Sequence, residues 1–186
     1  MTALADGVVV AAWGVVLLHN AALALRGGAT LGRLVVATTF VAVLGATGVA
    51  LERMSGGRLG TSPVLALVGG ALVVGGAVLH VEARRTLGTR WSARIAPASG
   101  DGPLDSGPYA VVRHPLYLAL GLIALGSMLA HPSVATACAA LGMTGGLALK
   151  IRGEERALAH TFGPRWDVYR ARVPCILPRL SSGRPG

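Results

Sequence analysis

The chain has 186 residues, 53% of them hydrophobic and 13% charged, with a mean hydropathy of +0.62, which is too apolar for an ordinary soluble domain of this size. Its formal charge of +9 comes from arginines lying between apolar blocks rather than in one patch, and aromatic residues make up only 4%. That pattern argues against a nucleic-acid partner and for membrane lipids and anionic ligands.

The first apolar run, about residues 7–25, follows Asp6 with no Lys or Arg before it, so it lacks the cationic start of a cleavable signal peptide and reads as a retained span. Further runs follow at about 34–51, 62–81, 115–130 and 134–151. The first three are long enough to cross roughly 30 Å of hydrocarbon. The last two, at about 24–27 Å if helical, either cross with recruited flanking turns or form a re-entrant hairpin around the short "AHPSV" turn. Glycine pairs at 69–70, 75–76 and 145–146 read as packing faces, because in lipid small residues let helix backbones approach. Cys138 sits in an apolar run and Cys175 in the charged tail, and neither they nor His19, His80, His131 and His160 have the spacing of a disulfide framework or a metal site. No metal is expected, and both cysteines read as free thiols.

Charge placement predicts the orientation. If the first run begins outside, the inside segments 26–33, 82–114 and 150 onward carry two, five and eight Lys/Arg, against only Arg53 and Arg58 outside. The fold class is therefore all-α: a polytopic membrane protein of about five spans, the last two a tight hairpin, with a cytoplasmic helical tail. Sixteen arginines against the single Lys150 point to a GC-rich genome, and hence to a bacterial plasma membrane.

Two segments then meet at the cytoplasmic surface. Hairpin arms of nearly equal length bring Pro115 level with Lys150, so "GPYAVVRHPLY" from Gly107 faces "KIRGEERAL" from Lys150. Pro115 suits the first turn of a helix, which leaves His114 at the helix mouth, where free N–H groups and the helix dipole favour an anion. Arg113 reinforces that field. Opposite stand Glu154 and Glu155, with Arg113, Arg152 and Arg156 as cationic partners and Leu158 sharing a helix face with Glu154. A cationic mouth, two carboxylates and an apolar wall suit a zwitterionic ligand at the bilayer edge. Each residue alone has an ordinary reading: an interfacial anchor for Arg113, a helix cap for His114, a solvated face for the glutamates, interfacial aromatics for Trp166 and Tyr169. The glycine-bearing segment "ASGDGPLDSGPY" follows no strand and fits no dinucleotide or phosphate loop, so it reads as a flexible cytoplasmic lid.

The segments "LGTRWS" (87–92), "LDSGPYAVVRHPLY" (104–117), "KIRGEERAL" (150–158), "FGPRWDVYRARVP" (162–174) and "ILP" (176–178) together resemble the isoprenylcysteine carboxyl methyltransferase family and its phospholipid methyltransferase relatives. The chain departs from the family pattern at Ala119, His131, Lys150 and Trp166. The resemblance implies an integral membrane enzyme using S-adenosylmethionine. It implies a cofactor site around Gly107, Tyr109, His114, Pro115, Tyr117, Glu155 and Leu158, with Glu155 or Glu154 reading the cofactor's amino or hydroxyl groups. Arg113 or Arg156 would hold an acceptor carboxylate, Glu154 would share in the catalytic set, and Trp166 and Tyr169 would line the acceptor's entrance. Residues 1–82 would be a three-helix membrane region and residues 83–186 the catalytic region. The acceptor would be lipophilic, entering from the bilayer, and no obligate protein partner is implied. Phospholipid amines and small thiols remain alternative acceptors. A non-enzymatic binder of anionic lipid is the reading from another class, and the acidic pair separates the two, since such a binder gains nothing from carboxylates in its basic pocket.

Overall fold

The computed structural model describes residues 2–26, 60, 62–88 and 102–178. These form six helices: α1 (Thr2–Arg26), α2 (Pro63–Leu87), α3 (Pro108–Val111), α4 (Pro115–Ala130), α5 (Val134–Phe162) and α6 (Pro164–Arg172), with no strand among the described residues. The expected run at 34–51 and the part of "LGTRWS" beyond residue 88 lie outside the described residues. Two helices, α2 and α5, are long and apolar enough to cross a membrane, while the apolar parts of α1 (Gly7–His19) and all of α4 are shorter.

Local chemistry places the helix ends. The Ser62 hydroxyl accepts the Leu65 N–H at 3.2 Å and Pro63 opens α2. Ser133 and Thr136 form a reciprocal capping box at the start of α5, so the turn between α4 and α5 is only residues 131–133. Prolines at positions 108, 115 and 164 start α3, α4 and α6, where a missing N–H costs nothing. The sequence reading ended the last apolar run near 151, but α5 continues to Phe162. Polarity ends a membrane run without ending a helix, and "EERALA" is made of good helix formers. Gly163, at φ +53, then turns the chain into α6.

The most extensive contact joins α2 and α4, and it is built on absent side chains. A Cβ added to Gly69 would lie 2.6 Å from the Gly126 carbonyl, one on Gly126 would lie 2.6 Å from the Gly69 carbonyl, and one on Gly76 would lie 2.8 Å from the Ala119 carbonyl. Backbone touches backbone along this seam. Val73, Ala77 and Ile123 fill the space beside it, and α1 closes the cluster through Ala12 and Val16. The first two glycine pairs thus contribute one member each, Gly69 and Gly76, whereas Gly70 and Gly75 meet no described atom within 4 Å; the expected packing face at 145–146 is not found, since neither Gly145 nor Gly146 meets one. Contact between α4 and α5 is much smaller than that between α2 and α4, so the two arms share a short turn but do not lie along one another throughout.

The seam makes a stability prediction. Gly126→Val should cost about 1–3 kcal/mol through overpacking against backbone that cannot move aside, while Gly70→Val should be close to neutral. Thermal unfolding of the two variants in detergent checks this, and equal midpoints would contradict the seam.

Candidate functional site

Five segments converge where α2 ends and α4 begins. The segment 112–114 enters α4 beside the chain that leaves α6: the Arg113 N–H donates to the Pro174 carbonyl at 2.9 Å and the His114 N–H to the Cys175 carbonyl at 3.1 Å. These two adjacent bonds lock the "RHP" segment to the "VPC" segment sixty residues later. Gly107, at φ +54, caps α3 and lies against α2, where a Cβ would come 2.9 Å from Thr86 Oγ1. A side chain there would be both strained and obstructed.

Arg113 is the hub. Its Nε and Nη2 donate to Glu155 Oε1 and Oε2, each at 3.0 Å, a bidentate fork. Its Nη1 donates to the Val173 carbonyl at 2.6 Å and the Arg170 carbonyl at 3.2 Å, which ties down the end of α6. The guanidinium also lies 5.9 Å from the centre of the Trp166 ring. One side chain therefore joins α4, α5 and α6.

His114 stands at the N-cap position of α4 but caps nothing with its side chain. Its buried ring points at the acidic pair instead, with Nε2 2.6 Å from Glu155 Oε1 and Nδ1 3.7 Å from Glu154 Oε2. The anions facing this helix mouth are the chain's own carboxylates. Glu154 accepts the Tyr117 hydroxyl at 2.5 Å and lies 3.6 Å from Lys150 Nζ, which sits 5.9 Å from the Tyr117 ring centre. His114 and Tyr117 stack at 5.6 Å. The expected levelling of Pro115 with Lys150 is thus displaced by about one turn: Glu155 is the residue opposite His114. Because the arms do not run side by side, α5 needs that extra turn to reach the same depth.

The remaining predicted residues fall in three places. Pro115 is fully buried at the start of α4. Trp166 and Tyr169 are buried with Val173, and Leu158 packs against them from α5, so this is an apolar cluster beside Arg113 and not a lipid-facing aromatic belt. Tyr169 donates its hydroxyl to the Tyr109 carbonyl at 2.7 Å. Burial pushes the Tyr169 phenol up to about 12, with the Arg113 charge pulling the other way, and burial raises the Tyr109 phenol as well. The Trp166 indole N–H is buried and has no acceptor among the described residues. Arg156 stands exposed on α5, apart from this cluster of contacts.

Three members of the neighbourhood have no site role in the sequence reading. Lys150 flanks Glu154 and Tyr117. Arg84 is buried on α2 near Tyr109, whose phenol it influences. The signal was there: Gly69, Val73, Gly76, Ala77, His80 and Arg84 continue one helical face, so an arginine ends the buried stripe. Cys175 is the third, half-buried, its thiol raised first by burial and next by the Glu155 charge, with Arg113 opposing.

Comparison with known proteins bears on these residues directly. The chain is 39% identical over 99 residues to the cobalt-zinc-cadmium resistance protein CzcN of Cupriavidus metallidurans, an alignment covering 52% of this chain and 45% of that protein. It is 35% identical over 99 residues to the nickel-cobalt-cadmium resistance protein NccN of Alcaligenes xylosoxydans xylosoxydans, covering 52% and 46%. The match thus spans less than half the length of each relative. The profile of the isoprenylcysteine carboxyl methyltransferase family matches residues 67–160, which take in the glycine seam, Arg113, His114, Tyr117 and both glutamates. With half of its length matched, and with it the centre of the site, the chain belongs to the isoprenylcysteine carboxyl methyltransferase (ICMT) family.

Proposed function

We propose that this protein is an integral membrane methyltransferase that uses S-adenosylmethionine to methylate the carboxyl group of a lipophilic, isoprenylcysteine-like acceptor at the cytoplasmic face of a bacterial plasma membrane. The family is one of membrane methyltransferases, and its members use this cofactor in general. The names of the two relatives speak of metal resistance and not of a reaction. The observation that carries the reading is the Trp166 indole N–H, buried beside Arg113 and without an acceptor among the described residues. A buried donor without an acceptor costs on the order of 1–3 kcal/mol, and a bound ligand with a polar edge would relieve it.

The residues present suit the cofactor. Glu154, the carboxylate outside the Arg113 fork, receives the cofactor's amino or hydroxyl groups with Tyr117 and Lys150 beside it. His114, Gly107, Tyr109 and Pro115 shape the floor, and Leu158 supplies the apolar wall. When bound, S-adenosylmethionine supplies an electrophilic methyl group on a sulfonium. This chain's residues contribute position and desolvation, because an in-line displacement needs alignment more than a proton donor. Arg113 braces Glu155 and the α6 carbonyls, so its part is to hold the site's shape. Arg156, exposed and outside the cluster, is the guanidinium open to an acceptor carboxylate. Trp166 and Tyr169 border the path by which the acceptor's apolar tail enters from the bilayer.

Three outcomes follow. Glu154→Gln should weaken S-adenosylmethionine binding by roughly ten- to a hundredfold, the worth of a charge-assisted hydrogen bond, read by calorimetry in detergent; unchanged affinity in folded protein would remove Glu154 from the cofactor site. Arg156→Ala should reduce turnover of carboxyl acceptors while leaving cofactor affinity within about twofold. Methylation assays over prenylcysteine, phospholipid-amine and small-thiol acceptors measure this, and transfer only to an amine or thiol would replace the carboxyl assignment. Finally, Cys175 should react with an impermeant maleimide from the cytoplasmic side of inverted vesicles, and labelling solely from the opposite side would reverse the orientation.

A further inference from the structure

We infer that His114, Glu155 and Cys175 form a binding site for one thiophilic divalent cation of the zinc, cadmium or cobalt type. The ligand atoms available to it, an imidazole nitrogen, a carboxylate oxygen and the Cys175 sulfur, all lie within 4.8 Å of one another. They arrive from three separate segments: the mouth of α4, the polar end of α5 and the chain beyond α6. Two backbone bonds hold two of those segments together, Arg113 N–H to Pro174 O and His114 N–H to Cys175 O. No spacing along the chain announces this set, since its members are 41 residues apart at one step and twenty at the next.

The donor chemistry selects the ion. One sulfur, one imidazole nitrogen and one carboxylate oxygen make a borderline-soft set, which favours zinc, cobalt or cadmium over magnesium or calcium. With metal–ligand bonds of about 2.0–2.3 Å, tetrahedral ligands stand roughly 3.3–3.8 Å apart. The His114 Nε2 to Glu155 Oε1 distance of 2.6 Å must therefore open on binding. Three protein ligands leave a fourth position for water or a small ligand.

The outer groups are also in place. Metal binding through Nε2 requires the imidazole proton on Nδ1, and that atom faces Glu154 Oε2 at 3.7 Å. A carboxylate behind the non-ligating nitrogen is the usual way a ligating histidine is oriented. Arg113 can keep Glu155 Oε2 through Nη2 and the Val173 carbonyl through Nη1 while Oε1 turns to the metal. Binding releases the thiol proton to solvent, and the imidazole proton shifts from Nε2 to Nδ1. The complex of a divalent cation with one thiolate and one carboxylate carries no net charge, which suits a half-buried place.

This inference does not rest on methyl transfer, and neither cofactor nor turnover enters its test. The full chain in detergent is titrated with cadmium chloride, following the ultraviolet thiolate-to-cadmium band. Expected is saturation at about one ion per chain, retained in Cys138→Ser, lost in Cys175→Ser, and weakened at least about tenfold in His114→Gln. Unmodified protein supplies a second measurement: cadmium should slow maleimide labelling of Cys175 while leaving the exposed Cys138 unaffected, and magnesium should protect neither. A band that follows Cys138, wild-type affinity in Cys175→Ser or in folded His114→Gln, or unprotected Cys175 would each overturn the site.

Discussion

The fork between Arg113 and Glu155 is the constraint on which the rest of the site depends. Its two bonds of 3.0 Å join the mouth of α4 to the polar end of α5, and the remaining guanidinium nitrogen reaches the last carbonyls of α6. A carboxylate next to an apolar helix is costly when unpaired, and an arginine there is costly too. Together, at side-chain exposures of 12% and 23%, they offset each other without being fully removed from water. Removing one partner from a buried pair costs on the order of 3–5 kcal/mol, and partial exposure reduces that figure here. The guanidinium geometry matters as much as the charge, since an ammonium cannot satisfy two carboxylate oxygens and two carbonyls at once.

The glycine seam decides where that fork can stand. Because Gly69, Gly76 and Gly126 bring α2 and α4 to backbone contact, the start of α4 is delivered beside the end of α2. There Gly107 meets Thr86, and α3 fits into the remaining gap with Tyr109 buried. Tyr169 then closes over α3 by donating to the Tyr109 carbonyl, so the position of α6 depends on the same packing. A chain of contacts runs from small residues in the apolar region to the polar cluster at its edge.

Much of this was legible before any coordinates, for identifiable physical reasons. Hydropathy placed α2, α4 and the start of α5, and Pro115 marked where α4 begins; the caps at Ser62 and Ser133 then fix the ends beside those apolar runs. The meeting of "RHPLY" with "KIRGEERAL" followed from counting along two arms of similar length. Counting could not supply the extra turn, which depends on how far the arms diverge. Nor could it divide the acidic pair: neighbours on a helix point about 100° apart, and only the fold shows that Glu155 takes the fork while Glu154 takes Tyr117. Arg113 read as a group for a ligand, and its bonds to Glu155, Val173 and Arg170 depend on how the segments fold together, which the sequence does not show. The approach of Cys175 to His114 was illegible, since it rests on backbone bonds between segments sixty residues apart.

The charge distribution explains why such a cluster can sit at the end of apolar helices. Arg113 and Lys150 face Glu154 and Glu155, so the engaged groups nearly cancel, and the formal +9 of the chain resides on other side chains, many of them exposed arginines such as Arg156 and Arg165. A neutral cluster needs little extra solvation and tolerates a low-dielectric neighbour. The exposed arginines meanwhile produce a positive field that attracts anionic lipid or a carboxylate-bearing solute. The positive field and the neutral cluster thus occupy different places: the exposed arginines lie at the surface, while the paired carboxylates lie inside beside the Trp166 indole N–H, which has no acceptor among the described residues. An anionic-lipid binder would need only the first of these layers.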